Sequence, residues 1–62
     1  MRARALVDKR LHAYEDVTGP FIQWDAGEEI EVVMSLFGGS VLKVKKGGEF
    51  YYTLAHSVEK VA

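Results

Sequence analysis

At 62 residues, with no cysteine and a formal net charge of −1, the chain reads as one domain covering residues 1–62, without disulfide staples or a thiolate zinc site. A chain this short buries only about 60% of the surface its unfolded state exposes. Its stability must come from the apolar residues, 48% of the total, with self-association into a homo-oligomer as a further source. Eight Lys and Arg against nine Asp and Glu argue against a protein that coats nucleic acid, which needs surplus cations to displace condensed counterions.

No apolar run approaches the ~20 residues of a membrane span, so no membrane partner is expected. No apolar h-region of a signal peptide follows Arg2 and Arg4. Together with the lack of cysteine, this makes the expected location cytoplasmic. The opening Met and the absence of a tag or low-complexity tract read as a small complete reading frame, a pattern that an excised domain would share.

In chain order, Arg2 to Val7 alternates weakly and ends in Ala5-Leu6-Val7, a short strand. Asp8 to Gln23 has mixed polarity and no 3.6-residue stripe, and its Gly19-Pro20 pair rules out a helix there. It reads as a folded-back loop with two extended arms. Next come two apolar arms around the polar turn Asp25-Ala26-Gly27-Glu28, with Trp24 assigned to the core. Alternation after a Gly turn marks a half-buried strand, and Ile30 to Phe37 is the clearest one. Ile30, Val32, Met34 and Leu36 are expected on one face. Gly38-Gly39-Ser40 ends this strand, since paired glycines supply the positive φ of tight turns.

Val41 to Lys45 follows, with Leu42 and Val44 facing inward and Lys43 and Lys45 outward. Glu31 then also points outward, placed to sit opposite Lys45. Lys46-Gly47-Gly48-Glu49 has the form of a two-residue hairpin turn. Phe50 to Thr53 is an aromatic strand, Leu54 to Ser57 has room for one 3₁₀ turn, and Val58 to Val61 is the last strand. The predicted core is Leu6, Trp24, Ile30, Val32, Leu42, Val44 and Val58. Five short strands with Gly-rich hairpins and one long early loop predict an all-β barrel or rolled sheet.

The order of elements resembles an SH3 domain. Ala5-Leu6-Val7-Asp8-Lys9 is similar to the ALYDY segment of that family, and Trp24 to Val32 to its diverging turn. Val41-Leu42-Lys43-Val44 falls where the family has its Trp-Trp strand, and Leu54 to Val58 where it has Pro-Ser-Asn-Tyr-Val. The resemblance covers nearly the full chain and implies a five-stranded SH3-like barrel with a short 3₁₀ turn before the last strand. The family grips proline-rich peptides in grooves between aromatic rings. At the corresponding positions this chain has Val7, Lys9, Val41, Leu54 and Ser57, none aromatic, so the resemblance implies the scaffold without the proline-peptide groove.

No catalytic, cofactor-binding or metal-ligating residue is assigned. His12 and His56 are 44 positions apart in sequence, with no convergent partner set by spacing. Ser57 follows His56 directly, and neighbours on an extended chain point apart. The Gly-Gly pairs join strands and do not open helices, so they are not phosphate loops. The chain is therefore read as a non-enzymatic protein-interaction module, of the kind a small adaptor, inhibitor or phage-type accessory protein would be. Its expected contact surface is Phe37, Lys43, Lys45 and Tyr52, rings flanked by cations, with the Asp8–Gln23 loop as the fallback. The competing readings are a small nucleic-acid-binding barrel, which places rings and cations on one sheet, and a structural subunit of a larger assembly.

Overall fold

A computed structural model describes residues 1–61. Seven strands follow one another: β1 (Arg2–Ala5), β2 (Lys9–Tyr14), β3 (Thr18–Trp24), β4 (Glu29–Leu36), β5 (Val41–Lys46), β6 (Glu49–Leu54) and β7 (Val58–Val61). They form one antiparallel sheet in the order β3-β2-β6-β5-β4-β1-β7. The protein is all-β, and its sheet is open, with β3 and β7 at the edges.

The sheet is strongly rolled. Laid flat, seven strands about 4.8 Å apart would span roughly 29 Å in a layer about 10 Å thick, whereas the molecule measures 27 × 24 × 20 Å. The chain passes from edge strand β3 to β4, four places away in the sheet, through Asp25–Glu28 alone. Only a roll brings those ends so close. The turn is also fastened to β1. Gly27, at φ +87°, donates its N–H to the Ala5 carbonyl at 2.8 Å, and Ala5 donates to Glu28 at 3.3 Å. As a result Trp24 is fully buried although it lies on an edge strand, and its indole N–H donates to the Glu28 carbonyl at 2.9 Å.

The inner face carries the core: Ala3, Ala5, Leu11, Trp24, Ile30, Val32, Leu42 and Val44, with Tyr51, Ala55 and Val58 packed against it. Five of the seven predicted core residues are buried here, and Val58 is half-buried at its margin. Leu6 is not part of it and is 56% exposed. Alternation along β1 turns Ala3 and Ala5 inward, so Leu6 falls out of phase just as the strand ends, and its N–H is spent on the Ser57 carbonyl at 2.9 Å.

Three further expectations are corrected. The Asp8–Gln23 stretch contributes two strands, which raises the count from five to seven. Its extended arms pair as Lys9↔Trp24, Arg10↔Gln23, Leu11↔Ile22 and His12↔Phe21, with an irregularity between His12 and Tyr14. Pro20 is accommodated because β3 is an edge strand with one side free of ladder bonds. The 3₁₀ turn lies at Phe37–Gly39, where Gly38 and Gly39 take φ of +69° and +94°, and not at Leu54–Ser57. There Leu54 still belongs to β6, and a short turn through Ser57, at φ +57°, leads directly into β7. Finally, Ile30, Val32, Met34 and Leu36 do not share a face. The register moves from Val32↔Val44 to Met34↔Lys43, leaving Val33 as an extra residue. A bulge of this kind reverses the alternation, so Met34 turns outward and is 50% exposed.

Other expectations match the structure. Lys46↔Glu49 closes the β5–β6 hairpin around Gly47 and Gly48, at φ +60° and +81°, the pair of positive angles a type I′ turn requires. Glu31 lies opposite Lys45.

Candidate functional site

The outer face of β3-β2-β6-β5-β4 gathers most of the exposed rings and unpaired cations. One cross-strand row runs Phe21↔His12↔Tyr52↔Lys43↔Met34, and a second runs Phe50↔Lys45↔Glu31↔Arg2. Side chains directly opposite one another on antiparallel strands are near enough to interact. Lys43 Nζ sits 4.7 Å and Lys45 Nζ 5.8 Å from the Phe50 ring centroid. On the other side of the face, the Arg10 guanidinium lies 4.5 Å over Phe21, whose ring also meets His12 at 5.3 Å. Cations over aromatic faces are held by the ring quadrupole, at about 0.5–1 kcal/mol each on exposed surfaces.

Lys43, Lys45 and Tyr52, three of the four expected contact residues, are thus brought together, with Lys43 opposite Tyr52. Phe37 is not with them. It is 63% exposed, but it lies in the 3₁₀ turn beyond Leu36↔Val41, at the end of the β4–β5 hairpin away from Lys45. Phe50, 49% exposed, is the ring the lysines flank. Strand alternation through Phe50-Tyr51-Tyr52 already places Phe50 on the Tyr52 side. Phe21, Arg10 and His12 had no such signal, because their strands read as loop.

Arg2, Arg4 and Lys46 are engaged in ion pairs. Glu29 holds Arg4 at 3.0 Å and Arg2 at 3.8 Å, and Arg4 also reaches Glu59 at 3.7 Å. Lys46 bonds Glu28 at 3.0 Å and the Gln23 carbonyl at 3.0 Å, tying the β5–β6 hairpin to the Asp25–Glu28 turn. Among the described residues, no carboxylate lies within 4.0 Å of Lys43, Lys45, Lys9 or Arg10.

Next to the ring-bearing face lies a cleft of about 240 Å³, lined by Asp8, Lys9, Arg10, His12, Thr53, Leu54 and His56. It opens because β2 and β6 are bridged only at His12↔Tyr52 and separate towards Lys9 and Leu54. Lys9 is buried, and its ammonium donates to the His56 carbonyl at 2.8 Å. Burial lowers its pKa from the ordinary value, because desolvation disfavours the charged form. Asp8, also in the lining, accepts the Ala26 N–H at 2.8 Å through one carboxylate oxygen.

His56 Nδ1 and Ser57 Oγ lie 3.2 Å apart. The positive φ of Ser57 folds two neighbours together that an extended chain would separate. Among the described residues, no group of three or more His, Cys, Asp or Glu side chains is placed to hold a metal ion. Nor, among the described residues, is any helix long and apolar enough to cross a membrane. Of Val7, Lys9, Val41, Leu54 and Ser57, Lys9 and Val41 are buried, Val7 and Leu54 are exposed aliphatic side chains, and Ser57 is half-buried. The chain matches no protein-family model, and comparison with curated proteins and with solved structures finds no match either.

Proposed function

We propose that this protein is a non-enzymatic protein-interaction module built on a divergent SH3-like roll, and that it docks its partner on the outer face of β2, β5 and β6. The scaffold assignment is supported by the Asp25–Glu28 turn packed on the end of β1, the β4-β5-β6 meander, and the pairing of β7 with β1. The functional assignment rests on one observation: Phe50 and Tyr52, flanked by Lys43 and Lys45, share a face with Phe21, His12 and Arg10. Rings with small rotamer freedom supply contact area, and the adjacent cations steer an acidic partner. A proline-rich peptide is not the expected ligand, since no ring stands at Val7, Lys9, Val41, Leu54 or Ser57.

The test is capture from the host lysate, with and without nuclease. Tyr52→Ala combined with Lys43→Glu should keep the fold and weaken partner capture at least tenfold, about 1.4 kcal/mol. Capture at wild-type strength would move the site off this face. A nucleic-acid partner is the second reading, favoured by cations stacked on rings in one sheet. It requires capture that is lost on nuclease treatment and falls steeply with salt.

A further inference from the structure

We infer that the cleft between β2 and β6 is a carboxylate-binding site that receives an acidic side chain, Glu or Asp, of the protein partner. This rests on the interaction-module reading and names the partner's chemistry. Two basic side chains, Lys9 and Arg10, line the cleft with His12 and His56, and among the described residues neither has a carboxylate within 4.0 Å. The one acid in the lining, Asp8, has an oxygen committed to the Ala26 N–H.

Lys9 is the most telling member. An ammonium offers three donors, and among the described residues the Lys9 ammonium has one acceptor, the His56 carbonyl. Burying a cation without a counter-ion is unfavourable, and an incoming carboxylate would supply both the missing charge and the missing acceptors. Arg10, held over Phe21 at 4.5 Å, presents a planar fork suited to a carboxylate from the rim.

Size agrees with this occupant. About 240 Å³ is below the roughly 300–1,000 Å³ of pockets for drug-sized ligands, and suits one side chain. Position agrees as well. His12 lines the cleft and also stands between Phe21 and Tyr52 in the cross-strand row. A partner lying on the rings therefore has its next side chain over the cleft mouth.

The probe is N-acetyl-glutamic acid N-methylamide, whose side chain carries its only charge, titrated into the full chain and followed by two-dimensional NMR. Its glutamine counterpart and inorganic phosphate serve as comparisons. The glutamate compound should shift Lys9, Arg10, His12, Leu54 and His56 saturably, and the glutamine compound should not. Lys9→Met, and separately Arg10→Gln on the exposed rim, should each weaken binding by about tenfold, the loss of one charge-assisted contact. Absence of saturable shifts, equal response to glutamine, or indifference to both substitutions would overturn the inference. So would tighter binding of phosphate at the same residues, which would assign the cleft to a phosphorylated ligand. If the cleft fails while Tyr52→Ala/Lys43→Glu still abolishes capture, the interaction face stands and only the acidic anchor is lost.

Discussion

Lys9 shows how burial of one side chain makes stability depend on pH. Because burial lowers its pKa from the ordinary 10.5, the unfolded chain binds more protons than the folded one between the lowered value and 10.5. Stability contributed through Lys9 therefore rises with pH across that window. The difference in unfolding free energy between wild type and Lys9→Met should shift towards wild type as pH is raised there; chemical denaturation at several pH values measures it, and a flat difference would contradict the burial of the ammonium. Val44, fully buried and paired with Val32 and Tyr51, tests the core. Val44→Ala should cost about 1–3 kcal/mol. At about 2.1 cal/mol/K per residue, a chain of this size loses roughly 8 °C of Tm for each kcal/mol, so calorimetry should register a drop of about 8–24 °C. A change of a degree or two would place Val44 in solvent. Gly19 is set at φ +88°, and a Cβ there would lie 2.6 Å from the Tyr14 ring. Gly19→Ala should be destabilising by about 1–2 kcal/mol through the left-handed backbone alone, and more if Tyr14 cannot swing aside.

At the level of elements, the Val33 bulge decides which face of β4 meets which partner. Before it, Ile30 and Val32 line the core; after it, Met34 pairs with Lys43 on the outer face. Deleting Val33 should make Val32↔Val44 and Met34↔Lys43 consecutive pairs of an unbroken ladder, with Met34 still outward and Ser35 still opposite Leu42. Hydrogen exchange and chemical shifts along β4 and β5 should show that continuous ladder with the Met34↔Lys43 pairing kept; loss of that pairing, with Met34 turned inward, would mean that Val33 does not set the phase of β4. The ionic ladder of Arg2, Arg4, Glu29 and Glu59 over β1, β4 and β7 is of lesser weight. Its side chains are 37–54% exposed, where ion pairs contribute about 0–1 kcal/mol. Glu29→Gln should lower stability by less than about 1 kcal/mol, and 1 M salt should erase most of the difference.

Across the whole molecule, a 62-residue chain without staples gains its core by rolling one sheet over on itself. The four-residue link from β3 to β4 fixes the roll, and Trp24 fills it. Trp24→Ala removes the largest fully buried side chain and should cost about 3–5 kcal/mol. That matches the entire stability expected of a single small core, so the variant should be largely unfolded at 25 °C by circular dichroism and NMR dispersion. A folded Trp24→Ala protein would show that the turn hydrogen bonds to Ala5 suffice to hold the roll.

Local chemistry was legible in the residues themselves. The Gly47-Gly48 hairpin, the inward Ile30-Val32 and Leu42-Val44 pairs, and Lys43 standing opposite Tyr52 follow from turn geometry and period-2 alternation, which act over a few residues. Three things escaped that reasoning. The β2–β3 hairpin is made by partners such as Lys9 and Trp24, whose pairing depends on backbone hydrogen bonding between segments of irregular polarity. The Val33 bulge leaves no mark in an apolar run, because Val-Val-Met reads the same in either register. The cleft needs Lys9 from β2 and His56 from the β6–β7 turn, 47 residues apart, and only the rolled sheet sets them side by side. Alternation determined which side chains share a strand face; tertiary structure alone decided which strands meet, because that depends on where the chain closes its longest contacts.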